Sequence, residues 1–78
     1  MLAKNAHLRP PDRLNMARSV LSENRAQLSL VSHDARVLYA VGLLICDESG
    51  VISRWKLRFS MRNPRVLARA RALVSEVF

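Results

Sequence analysis

Basic residues alternate with large apolar residues near the start of the last third of the chain. In "SRWKLRFS", residues 53–60, the cations Arg54, Lys56 and Arg58 occupy every second position. If this segment is a strand, its three cations share one face, because successive side chains of a strand point to opposite sides. A row of positive charges suits the phosphates of nucleic acid or an acidic protein surface.

A second basic set follows at helical spacing. Arg62, Arg65 and Arg69 are separated by three and four residues, so a helix places them near one side. The N–H groups at the start of such a helix, together with the helix dipole, favour anions. The six cations of the two sets are therefore the candidate nucleic-acid-binding residues.

The positive charge is concentrated in the same part of the chain. The 78 residues carry a formal net charge of +7. Residues 1–50 hold six cations and five anions, whereas residues 51–78 hold seven cations and only Glu76 as an anion. This imbalance favours anionic partners, of which nucleic acid and acidic proteins are the main candidates.

Residue types that perform catalysis or bind metals are scarce. The chain has two histidines, His7 and His33, one cysteine, Cys46, and two glycines. This set gives no metal-ligand spacing and no glycine-rich phosphate loop. Ser32, His33 and Asp34 are adjacent on a turn and cannot converge on one point. We therefore expect a protein that is not an enzyme and has neither metal nor cofactor.

Cellular location is indicated by the same counts. A single cysteine excludes an internal disulfide and fits a reducing cytoplasm. Residues 1–9 contain no apolar signal segment and are predicted to form a flexible arm. The longest apolar run, residues 37–46, is too short to cross a membrane. We expect a cytoplasmic protein with a single small domain over residues 10–78.

The elements that position the cations are predicted from hydrophobic periodicity and turn residues. Residues 11–24 favour a helix after two prolines, and a last helix begins at Asn63 and Pro64. Between them, strands are predicted over "AQLSLVS" at 26–32, "RVLYAVGLLIC" at 36–46, and residues 51–61, with turns at 33–35 and 47–50. The predicted fold class is α+β, in the order α-β-β-β-α, with both helices packed on one face of a three-stranded antiparallel sheet.

The predicted hairpin fixes which residues face each other. With a loop at residues 47–50, Gly42 falls opposite Trp55, which we expect to be buried under the helices. The opposite face would be apolar and open to solvent, and such patches mark interfaces. We therefore predict a partner or dimer interface formed by Val37, Tyr39, Val41, Leu43 and Ile45.

The element order and the basic start of the last helix resemble the double-stranded RNA-binding domain. In "SMRNPRVLARARALV", residues 60–74, Arg62 and Arg65 stand where the family has two phosphate-binding lysines. Ala68, Ala72 and Leu73 match its packing positions, and "PPDRLN", residues 10–15, is similar to the opening of its first helix. The resemblance implies phosphate contacts across a duplex groove.

Three functional hypotheses follow from the sequence. The first is a small basic module that binds nucleic acid mainly through phosphate contacts. The second is a protein-binding regulator or inhibitor of the phage or plasmid accessory type, for example an inhibitor of a bacterial defence system such as CRISPR, acting through the open sheet face. The third is a homodimer that closes this face on itself.

Overall fold

The computed structural model describes residues 10–45 and 53–78. These residues form helices and contain no strand. The helices are α1 (Pro10–Glu23), α2 (Arg25–Leu28), α3 (His33–Ile45), α4 (Arg54–Ser60) and α5 (Pro64–Val77). The predicted arm at residues 1–9 and the predicted hairpin loop at 47–50 lie outside the described residues.

The first and last helices confirm the sequence prediction. Helix α1 begins at Pro10 and carries Asp12 in its first turn, where the positive end of the helix dipole favours an acid. Helix α5 begins at Pro64, and Asn63 caps it. Both starts depend on short-range chemistry, which is readable from a few neighbouring residues.

The predicted α+β fold is wrong in the middle of the chain. The single-turn helix α2 overlaps the segment predicted as the first strand, and in the described parts of the second and third predicted strands the chain forms α3 and α4. Without a sheet, the resemblance to the double-stranded RNA-binding domain does not hold either, because that fold packs its helices on three strands.

Helix α3 forms because its apolar residues also fit a helical period. Val37, Ala40 and Val41 are buried, and Leu44 is half-buried, which is the spacing of one helix face. Its start is also well formed, since the Ser32 hydroxyl oxygen accepts a hydrogen bond of 3.2 Å from the Ala35 N–H. A continuous apolar run of this length is compatible with a buried strand as well as with a buried helix, and in this protein it forms a helix.

Three alanines mark where the long helices meet. Ala17 on α1, Ala40 on α3 and Ala70 on α5 are each fully buried. Small side chains allow helix axes to approach closely, so α1, α3 and α5 pack against one another around these positions. Larger core residues surround them, namely Leu21, Leu28, Val37, Val41, Leu43, Leu73 and Val74.

Helix α4 packs on this three-helix core through α3. Leu57 in the middle of α4 and Met61, the residue that follows its end, are both half-buried and lie against the core. The opposite side of α4 therefore faces solvent.

Candidate nucleic-acid interface

Two large aromatic side chains lie on the solvent side of α4. Trp55 is 77% exposed and Phe59 is 66% exposed. Their rings are stacked, with centroids 5.8 Å apart and planes inclined by 14°. The prediction that Trp55 is buried against Gly42 is therefore wrong. Exposed aromatic rings of this size forgo much hydrophobic stabilisation, which is typical of a binding surface.

The local sequence explains why the rings point outward. The Ser53 hydroxyl oxygen caps α4 by accepting a hydrogen bond of 3.0 Å from the Lys56 N–H. In the helix that follows, Trp55 and Phe59 are four residues apart and share a face. Leu57, which a strand would place beside them, is turned by about 200° from Trp55 and faces the core instead.

Two arginines flank the aromatic pair. Arg58 and Arg62 line a shallow, open depression of about 260 Å³ together with both rings. We call Trp55, Arg58, Phe59 and Arg62 the aromatic–arginine surface. A second depression of about 330 Å³ continues it past Phe59 and Arg62 to Asn63 and Pro64, at the start of α5. Both depressions are open surface features, suited to contact with an extended ligand and not to enclosure of a small one.

The arginines of α5 extend the positive surface. Arg65 and Arg69 are exposed and one turn apart on the same helix face. Arg71 is exposed as well, but it lies two residues beyond Arg69 and therefore on another face. Within residues 53–78, none of the seven cations has an ion pair, so their charges are available to a ligand.

The predicted row of three cations is divided by the helix. Arg54 and Arg58 are four residues apart and share one side of α4. Lys56 is half-buried and lies on a different side. The prediction that Arg54, Lys56 and Arg58 share one face required a strand. It is wrong because these residues lie in the helix α4.

The start of α5 is closed to anions at its backbone. The Asn63 side-chain oxygen accepts hydrogen bonds from the N–H groups of Arg65, at 3.0 Å, and of Val66, at 3.5 Å. Pro64 has no N–H group to offer. The predicted help from free N–H groups is therefore absent here, and a phosphate at this end would be held by arginine side chains.

The predicted partner interface is dispersed by the change of fold. Val37, Val41 and Leu43 are buried in the chain's own core, where no partner can reach them. Tyr39 is 40% exposed and Ile45 is half-buried. The open sheet face that would have gathered all five does not exist in the described residues, so the physical reason for an interface at these positions is lost.

The sequence prediction missed the aromatic pair as a possible binding element. A usable signal was present, because Trp55, Phe59 and Arg62 follow the spacing i, i+4, i+7 of a helix face. The strand prediction buried Trp55 under the helices and so concealed the role of the pair.

Other kinds of site are not found in the part of the chain that the structure describes. Residues 10–45 and 53–78 contain no group of three or more His, Cys, Asp or Glu side chains that could hold a metal ion. None of the described helices is both long enough and apolar enough to cross a membrane.

Comparisons with known proteins add no assignment. The chain matches no protein-family model, no curated protein and no solved structure. The candidate function therefore depends on the geometry of the aromatic–arginine surface and on the distribution of charge.

Proposed function

We propose that this protein is a non-enzymatic module that binds nucleic acid through the aromatic–arginine surface and the adjoining arginines of α5. The observation that carries the proposal is the stacked, exposed pair of Trp55 and Phe59, flanked by Arg58 and Arg62. Proteins that bind nucleic acid along its backbone combine a positive groove with aromatic side chains in this way.

The electrostatic support comes from unpaired charge. Seven cations and one anion lie within residues 51–78, and Glu76 forms its ion pair with Arg18 of α1. The basic face is thus not neutralised by neighbouring acids in residues 53–78. A phosphate backbone supplies the missing negative charge and releases its own counterions on binding, which favours association at low salt.

A second candidate function, the protein-binding regulator or inhibitor, is favoured by a separate observation. Leu30 is 86% exposed, and Val31, Leu38 and Tyr39 are each at least 40% exposed. Tyrosine, tryptophan and arginine are also enriched at the energetic centres of protein interfaces. In either function the protein would act in the cytoplasm, and in the second its partner would be an acidic protein.

Binding of labelled oligonucleotides measured by fluorescence anisotropy tests the main proposal. We expect association at low salt and a loss of about 10³–10⁵ in affinity between about 50 and 200 mM salt if six to ten phosphates are contacted, and less for fewer contacts. Absence of binding at low salt would overturn the proposal. If the protein retains a partner from a cell lysate after nuclease treatment in a pull-down, the protein-binding function is favoured instead.

A further inference from the structure

The geometry of the aromatic pair indicates which form of nucleic acid fits. Trp55 and Phe59 are nearly parallel, and their ring centroids are 5.8 Å apart. A base inserted between two rings needs roughly twice the 3.4 Å stacking distance, or about 7 Å. The space between these two rings is therefore too narrow for a base, and only their outer faces can receive one.

The exposure of the rings leaves those outer faces free. Trp55 is 77% exposed and Phe59 is 66% exposed even though each covers part of the other. A base has its stacking face available only when it is unpaired and unstacked, as in single strands, loops and ends. In a duplex the same faces are hidden inside the stack, so the exposed rings would gain little from duplex binding.

The flanking charges match the same ligand. Arg58 and Arg62 line the depression that contains both rings, so positive charge lies directly beside the stacking positions. In a single strand, phosphates lie beside successive bases in the same manner. Stacking on the rings and pairing with the guanidinium groups can therefore occur with one extended strand.

We infer that the aromatic–arginine surface binds single-stranded nucleic acid, with one unpaired base on the outer face of Trp55 or Phe59 and adjacent phosphates on Arg58 and Arg62. This inference rests on the proposed function and adds that the ligand is single-stranded and not duplex nucleic acid. The α5 arginines Arg65 and Arg69 then extend the path of the backbone without contributing to base stacking.

The test distinguishes the contribution of unpaired bases to the affinity from the contribution of phosphates. Oligothymidine of about 12 nucleotides, an abasic strand of the same length and a hairpin duplex provide the three probes. Trp55 is the only tryptophan in the chain, so its fluorescence reports contact with a base directly. We expect oligothymidine to quench this fluorescence and to bind about 5- to 150-fold more tightly than the abasic strand.

Variants locate the effect. Trp55→Leu keeps an apolar side chain without the ring and should reduce the difference in affinity between oligothymidine and the abasic strand, and the double variant Trp55→Leu with Phe59→Leu should abolish it. Phe59→Leu should narrow the difference while the Trp55 signal remains available. Leu30→Ala, on an exposed side chain outside the surface, should leave all affinities unchanged. Circular dichroism verifies that each variant keeps its helices.

Each outcome has a distinct meaning. Equal binding of oligothymidine and the abasic strand, or tighter binding of the duplex, would overturn the inference and leave the proposed function in place. Failure to bind any of the three probes at low salt would overturn the proposed function together with the inference, and would leave the surface to an acidic protein partner.

Discussion

The guanidinium group of Arg36 lies 4.6 Å from the centroid of the Phe78 ring. The same group donates hydrogen bonds of 2.8 Å to the carbonyl oxygen of Leu28 and 2.9 Å to that of Ser29. Both carbonyls lie at the end of α2, where a cation complements the helix dipole, and the Leu28 carbonyl oxygen also accepts a hydrogen bond of 3.3 Å from the Val31 N–H. One side chain of α3 thus joins the end of α2 to the end of α5.

Replacement of Arg36 tests this junction. We expect Arg36→Ala to lower the free energy of unfolding by about 1–3 kcal/mol, because two charged hydrogen bonds and the ring contact are lost together. Phe78→Leu keeps an apolar side chain against the core but removes the ring that Arg36 contacts, and the lost cation–π contact should cost about 0.5–1 kcal/mol. Urea denaturation gives both values, and an equal cost for the two variants would contradict the assignment of the larger share to the carbonyl contacts.

Two leucines test the helical fold. Leu43 is 4% exposed in α3, whereas Leu30 is 86% exposed after α2. Leu43→Ala should cost about 2–5 kcal/mol through lost burial and a residual cavity, and Leu30→Ala should change stability by less than about 0.5 kcal/mol. Both substitutions replace leucine by alanine. If urea denaturation gives similar losses in the free energy of unfolding for the two variants, Leu43 of α3 is not buried as described.

The cap of α5 provides a third test. Asn63→Ala removes the side-chain oxygen that accepts hydrogen bonds from Arg65 and Val66. We expect a loss of about 0.5–2 kcal/mol in thermal or chemical unfolding. Asn63→Asp retains an acceptor at the same position and should preserve stability. If the alanine and aspartate variants unfold alike, the cap does not stabilise α5.

The salt dependence of binding tests the α5 arginines. Arg65→Ala and Arg69→Ala should each lower the slope of log affinity against log salt by about 0.7–0.9, because one phosphate contact is lost. Arg25→Ala removes an exposed cation of α2, outside the proposed surface, and should leave the slope unchanged. If the slope falls by the same amount in all three variants, the nucleic acid is attracted by the net charge of the chain and not by specific contacts with the arginines of α5.

The ends of the fold were predictable because their signals are local. Pro10 and Asp12 at one helix start, and Asn63 with Pro64 at the other, act through their nearest neighbours. The middle was not predictable from the same kind of signal. In residues 36–46 almost every position is apolar, so the run satisfies a strand buried on both faces as well as a buried helix. Packing against α1 and α5 decides between them.

The candidate site was predictable in its charge and not in its shape. The concentration of cations in residues 51–78 follows directly from the sequence. The exposed position of Trp55 does not follow from the sequence, because a pattern of only seven residues can fit the period of a helix as well as that of a strand. Besides the i, i+4, i+7 spacing of Trp55, Phe59 and Arg62, the sequence carried a second signal for a helix in Ser53, which is a favoured helix-capping residue ahead of α4.

The exposed aromatic pair also determines how copies of this chain behave toward one another. In dilute salt the net charge of +7 keeps them apart, since like charges repel over about 10 Å at 0.1 M ionic strength. At about 1 M this range shrinks to about 3 Å, and the rings of Trp55 and Phe59 can then meet those of another copy. We therefore expect the solubility of the free protein to fall as salt is added, because Trp55 and Phe59 then form apolar contacts between copies.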